Sequence, residues 1–381
     1  MSFKKPVFFN KTILAFAVTA AVPATALAHH GFGLFQLGTV KEWSGTITKM
    51  DFVNPHSYIY FDSVDENGEV LSMKCEMRAA SLLRRSGWSK EMFEVGLPVH
   101  IEGNPHRDDI HACYTENITI GDRPTINRND QFTIEETIDN SDRPMRLASG
   151  ELNISGDWAI EQLVLTIGPE GGNGSMVPKS LREEYASGRM TLEDIRARNP
   201  RPSQIEYTRA GQQAADAFNG RSPEDNPWFA CKPTSIIRDW TADWPVNRFE
   251  QKVVDGESVI DIDYGLYGFN RRIHMGMENH PANVTPSYSG HSIGHWEGDV
   301  LVVDTIGFEA GVLSPPTRSS EQMHIVERFT LNTGDMTLRR EWTVEDPVYL
   351  AAPWTGSDIM MLSDIPFEKE ECKELTPEFM Q

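Results

Sequence analysis

Residues 290–306 constrain the fold more than any other stretch. Gly-His-Ser-Ile-Gly-His-Trp-Glu leads into Gly298-Asp299, and Val-Leu-Val-Val-Asp-Thr-Ile follows. The flanking runs are rich in Val, Ile and Thr, which suit a pleated surface. Gly298 can take the positive φ that the turn Glu297-Gly298-Asp299, between strands 290–296 and 299–306, demands. The stretch therefore reads as a β-hairpin. A second pair, 324–331 with 336–344 across Asn332-Thr-Gly-Asp335, repeats the pattern. Residues 259–264 alternate apolar Ile260, Ile262 and Tyr264 with Asp261 and Asp263. Many antiparallel strands joined by tight turns predict a barrel or a sandwich.

The chain starts with a segment of another kind. Lys4, Lys5 and Lys11 surround the start of an apolar run, Ile13–Ala21, and Ala26-Leu27-Ala28 is a small-x-small site. These are the parts of a secretory signal peptide over residues 1–28. The apolar run is too short to span a bilayer. Export to the periplasm is expected, with secretion as the alternative, and cleavage after Ala28 makes His29 the first mature residue.

Residues 29–122 read as a small OB-like domain. Strands are expected at 45–52, 56–62 and 70–76, with Asn67-Gly68 at the hairpin turn between the last two. A short helix over 78–86, closed by Gly87, precedes strands at 97–103 and 112–120. Three strands, a helix and two strands is the order of a five-stranded barrel. Residues 123–150 are polar and aperiodic and read as a linker. Residues 151–381 are expected to form a lipocalin-like antiparallel β-barrel of about eight up-and-down strands around a ligand cavity. A helical insertion interrupts it at about 179–220. There Ser180 with Glu183 and Thr191 with Asp194 make capping-box patterns, and a further helix is expected from Thr208 to Phe218. The fold class is thus mainly β.

Composition excludes some functions. The chain has 35 Lys+Arg against 56 Asp+Glu, a net charge of −21. No basic stripe offsets this, so nucleic acid is not an expected partner. No protein partner or membrane span is indicated after the leader. Four cysteines, Cys75, Cys113, Cys231 and Cys372, suit two disulfides in an oxidising compartment. Three pairings are possible. The local one, 75–113 and 231–372, keeps each bond within one domain. Cys75 and Cys113 also sit on the third and fifth expected strands, which are neighbours in such a barrel.

Two sets of motifs carry resemblances. His29-His-Gly-Phe32, Gly45-Thr-Ile-Thr48, Asn54-Pro-His56 and Leu83-Arg-Arg-Ser-Gly-Trp88 resemble the bacterial exported proteins of the domain of unknown function 6152 family. Leu152-Asn-Ile-Ser-Gly-Asp-Trp158, Cys231-Lys-Pro233, Arg271-Arg-Ile-His274, the 290–304 run, His324-Ile-Val-Glu-Arg328 and Glu345-Asp-Pro347 resemble a C-terminal region of uncharacterised exported proteins of environmental bacteria. Both resemblances imply export and architecture. Neither implies an activity.

Two chemistries follow from the residues themselves. A mature N-terminal His29 offers an amine and an imidazole, and with His30 or His56 it makes a nitrogen set suited to copper. The other candidate is the barrel interior. Strand alternation puts His291, Ile293 and His295 on one face, Glu327 with Ile325 and Phe329, and Arg340 with Leu338 and Trp342. His291, His295, His324, Glu327 and Asp304 are the candidate catalytic groups. Arg340, Trp342, Tyr264 and Trp296 are the candidate ligand wall. A buried Glu327 and Arg340 would have to pair with each other or meet a ligand, and a structural pair is the alternative reading. Such a site suits a hydrophobic small molecule, bound or converted without a cofactor by lyase, isomerase, hydratase or hydrolase chemistry. No nucleophile elbow, phosphate loop, dinucleotide fingerprint or HExxH motif is present.

Overall fold

The computed structural model describes residues 34–369 and Cys372, apart from 66, 131, 133–136, 172–173, 199–200, 221, 223–224 and 243–244. The expected signal peptide and the copper candidates His29 and His30 lie outside the described residues.

The first barrel follows the expected order. Its elements are β1 (Lys41–Asp51), β2 (Tyr58–Val64), β3 (Val70–Glu76), α1 (Ala80–Arg84), β4 (Pro98–Pro105), β5 (Ala112–Ile120) and the short β6 (Ile126–Asn127). β1 pairs antiparallel with β2 and with β4, β4 with β5, and β3 lies parallel to β5, closing five strands into a barrel. The helix is shorter than the expected 78–86. Gly87, at φ 78°, turns the chain away just after it. Cys75 and Cys113 are register partners across the β3–β5 junction and form a disulfide. Ile59, Phe61, Met73, Trp88 and Ile101 fill the centre.

The second barrel begins with β7 (Gly156–Ala159). An insertion follows: the hairpin β8 (Leu163–Thr166) and β9 (Ser175–Pro178), then α2 (Arg182–Ala186), α3 (Leu192–Arg198) and α4 (Arg209–Asp216). Of the two expected capping boxes, that of Thr191 and Asp194 is present as reciprocal bonds. The one at Ser180 is not: Leu181 stands at the N-cap of α2, and no side-chain cap bond is made there. At α4 the Gly211 amide donates to Thr208 Oγ1 at 3.0 Å. The remaining strands are β10 (Asn247–Val254), β11 (Glu257–Asp263), β12 (Asn270–His274), β13 (His291–Glu297), β14 (Val300–Ile306), the side hairpin β15 (Gly311–Ser314) and β16 (Thr317–Ser319), β17 (His324–Asn332), β18 (Thr337–Glu345) and β19 (Trp354–Leu362).

The expectation of about eight up-and-down strands needs correction. Nine strands close the barrel, in the order β10-β11-β12-β13-β14-β17-β18-β19-β7. One neighbouring pair, β12 and β13, is parallel. The 16 residues 275–290 between them form a crossover rather than a hairpin, as parallel neighbours require.

The barrel interior is also not the expected open cavity. Residues 234–242 thread into it. Ile236, Ile237 and Trp240 are buried at 2% exposure or less. The Trp240 ring meets Phe249, Tyr264 and Phe329 edge-on at 5.4, 6.0 and 5.7 Å. Arg340 donates to the carbonyls of Ile236 and Ile237. Asp239 anchors the same segment, accepting from Trp228 Nε1 and from the Thr234 amide and hydroxyl. Burial pushes its carboxyl up to about 6.

The two barrels are tied together. Arg78 and Arg85 donate to the Leu163 and Ile160 carbonyls. The Cys231–Cys372 disulfide brings the C-terminal tail back to a bridge with Asn54. Two disulfides suit an oxidising compartment outside the cytoplasm. Among the described residues, no helix is long and apolar enough to cross a membrane.

Candidate functional site

The strand register decides which side chains meet. On β14, Leu301, Val303 and Thr305 point into the barrel, so Asp304 points out. Asp304 lies opposite Ile293 on β13 and Val326 on β17. Its diagonal neighbours on the outer face are His291 and His324, within reach of side chains of this size. Parallel pairing sets His274 of β12 level with Ile293, and so beside His291. The 275–290 crossover then lays His280 over the same patch.

These groups form one hydrogen-bonded chain. Asp304 Oδ1 accepts from His280 Nε2 at 2.9 Å, and Oδ2 accepts from His324 Nε2 at 2.9 Å. Nδ1 of His280 faces Nδ1 of His291 at 2.9 Å. The His274 and His291 rings stack at 5.1 Å with an 11° interplanar angle. Beyond His324, Glu345 stands 3.5 Å from Nδ1.

The electrostatics follow from this placement. An ionised carboxylate only accepts, so Asp304 fixes the protons of His280 and His324 on Nε2. His280 Nδ1 is then the acceptor toward His291, whose Nδ1–H donates. That leaves Nε2 of His291 with the free lone pair. Burial lowers the His291 pKa below the ordinary imidazole value, and the nearby His274 and His280 lower it further. Burial works to raise the Asp304 pKa, but the bonds from His280 and His324 overcome it, and the net direction is down. At neutral pH the patch thus holds a carboxylate anion beside a neutral histidine base.

The other expected site residues lie elsewhere. His295 shares the outer face with His291 but sits about 13 Å further along the strand. It is 64% exposed beside Glu297. Glu327 points inward, 2.5 Å from Arg271 and 3.2 Å from Arg340, and is fully buried. Arg340 also pairs with Asp358 at 2.7 Å, and Trp342 Nε1 donates to the same carboxylate. Tyr264 is buried in the core, and burial pushes its phenol up to about 12. Arg340 and Tyr264 are thus buried among pairing and packing partners, and Trp342 also lines a hollow on the barrel wall. Trp296 is only partly buried, at the edge of the core. The copper candidate His56 faces Glu76 at 3.0 Å; burial opposes its protonation, and Glu76 outweighs this and raises its pKa. Among the described residues, no three His, Cys, Asp or Glu groups are placed to hold a metal ion.

His274 and His280 were missed by sequence reasoning. Alternation with Arg271 and Ile273 signals that His274 faces outward on β12. His280 has no such signal, because the crossover around it has no period.

No curated protein and no solved structure matches the chain. The N-terminal part, residues 17–114, matches the model of a family of unknown function, DUF6152, which places that part of the chain in this family.

Proposed function

We propose that this is an exported, periplasmic protein that converts an apolar small molecule without a cofactor, by acid–base chemistry on the outer face of its second barrel. The strand order β1-β2-β3-β5-β4 supports an OB-type reading of the first barrel. The observation that carries the functional reading is the shared carboxylate. Asp304 receives one imidazole N–H on each oxygen, and His280 continues the chain to His291. A carboxylate that orients one imidazole and stabilises its charged form is the working part of a general base.

His291 is the base in this reading, and His280 and Asp304 position it. With an ester as probe, His291 Nε2 takes a proton from water as the water oxygen attacks the carbonyl carbon. The bond to the leaving oxygen breaks, and the imidazolium returns its proton to that oxygen, giving acid and alcohol. The natural reaction falls in the hydrolase, hydratase, lyase or isomerase classes, which need only such proton transfers.

The test is saturable hydrolysis of p-nitrophenyl acetate by the mature chain. His291→Ala is expected to lower kcat/KM by roughly 100-fold, the scale of general base catalysis. Asp304→Asn is expected to lower it similarly, with KM little changed. Wild-type rates in both variants would overturn the reading.

A further inference from the structure

The histidine chain lies beside a break in the barrel wall. β12 ends at His274, whereas β13 continues to Glu297, and the two are paired only at Ile273–Ser292 and His274–Ile293. From Gly294 onward, β13 is flanked on this side by the Met275–Met277 segment instead of a strand. Gly294 makes the close approach possible. A Cβ there would lie 2.7 Å from Ile273 Cγ2 and 2.9 Å from Met275 Sδ.

Two hollows flank this segment. One, of about 560 Å³, is lined by Ile293, His280 and Asp304. The other, of about 610 Å³, is lined by Val259, Ile260 and Trp296. Met275, Gly276, Met277 and His295 border both. Each is within the size range of small-molecule pockets. Ile260 belongs to the barrel core and Trp296 packs against it, so the second hollow is a notch reaching toward apolar interior. The first touches the His280–Asp304 link, and the His280 ring stands 5.1 Å from that of His291. The charges favour a neutral occupant. Lys252, the one lysine lining the notch among the described residues, is committed to Glu250 and Asp261, and Glu151 and Glu257 also line it.

We propose that the notch is the tail site of the substrate: an uncharged molecule with an apolar tail reacts at His280–Asp304–His291, with its tail laid across Met275 and Met277 against Trp296. This rests on the histidine chain being the reacting site, and it adds the substrate class. Two flexible, polarisable methionines suit a tail of variable shape.

The experiment compares p-nitrophenyl acetate, butyrate and octanoate with the mature chain. Full burial gives up to about fourfold in kcat/KM per methylene, so a rise of at least about tenfold from acetate to octanoate is expected. Trp296→Ala and Met277→Gln are expected to flatten the series. A flat wild-type series, or a slope that survives both variants, overturns the tail site while leaving the His291 dependence of acetate hydrolysis intact. Calorimetric titration with 1-octanol reads the tail site without any turnover. Saturable binding that weakens in Met277→Gln supports it even where no ester is hydrolysed, and no saturable binding overturns it.

Discussion

The inner and outer faces of β12, β13, β14 and β17 carry two charge networks built from neighbouring residues. Inward, Arg271 donates to Ser292 and Thr305 and pairs with Glu327, which also holds Arg340. Outward, His291 and Asp304, one residue away on each strand, join His280 and His324. The inner side chains of Arg271, Glu327 and Arg340 are at most 1% exposed, whereas His324 and Asp304 are 34% and 38% exposed. That difference separates their roles. Arginine does not change protonation state in water, and burying its charge is offset only by complete pairing. The inner network therefore fixes strand register and does little else. Imidazoles titrate near neutrality and here remain accessible, so the outer network can move protons.

Three perturbations test this contrast. The largest effect is expected inside. Glu327→Ala strands two buried guanidinium groups and is expected to cost about 3–5 kcal/mol of stability, read by urea denaturation. A loss below about 1 kcal/mol would show that the inner network is not structural. A smaller effect is expected outside, in the pH profile. The neutral form of His291 is the active base, and its pKa lies below the ordinary value, so activity holds below about pH 6.5 before it falls. The same lowering favours folding above the ordinary value, and that contribution is lost as pH falls through the folded one. His274→Ala removes one of the charges opposing protonation, so the inflection should move up toward the ordinary value. An inflection that stays in place or moves down contradicts the electrostatic role given to His274. The smallest effect is expected at His295. It borders both hollows but stands outside the hydrogen-bonded chain, so His295→Ala should raise KM for p-nitrophenyl acetate while leaving kcat little changed, the mark of a binding rather than a catalytic contact. A large loss of kcat would move the site along the hairpin.

Much of the secondary structure was legible because its causes are local. Alternation at Val300–Ile306 and the positive φ of Gly298 specify the hairpin without help from the rest of the chain. Thr191 and Thr208 cap their helices through contacts within three residues. The even cysteine count, read with the expectation of export and with Cys75 and Cys113 on the third and fifth strands, matched the disulfides found. The site was less legible. Alternation correctly grouped His291 with His295, and Glu327 with Phe329, but two groupings do not say which face turns inward.

The sequence alone thus determined most of the strands and turns, the Thr191 cap and a hairpin bearing two histidines on one face. Only the tertiary structure decided that this face turns outward. The reason is competition for the interior: Trp240, Ile236 and Ile237 enter the barrel from a distant segment, and Arg271 claims the inward hydroxyls of Ser292 and Thr305. It was also tertiary structure that paired β12 parallel to β13 and carried His280 over Asp304. Those contacts join residues through a crossover without periodicity, where no local preference specifies the partner.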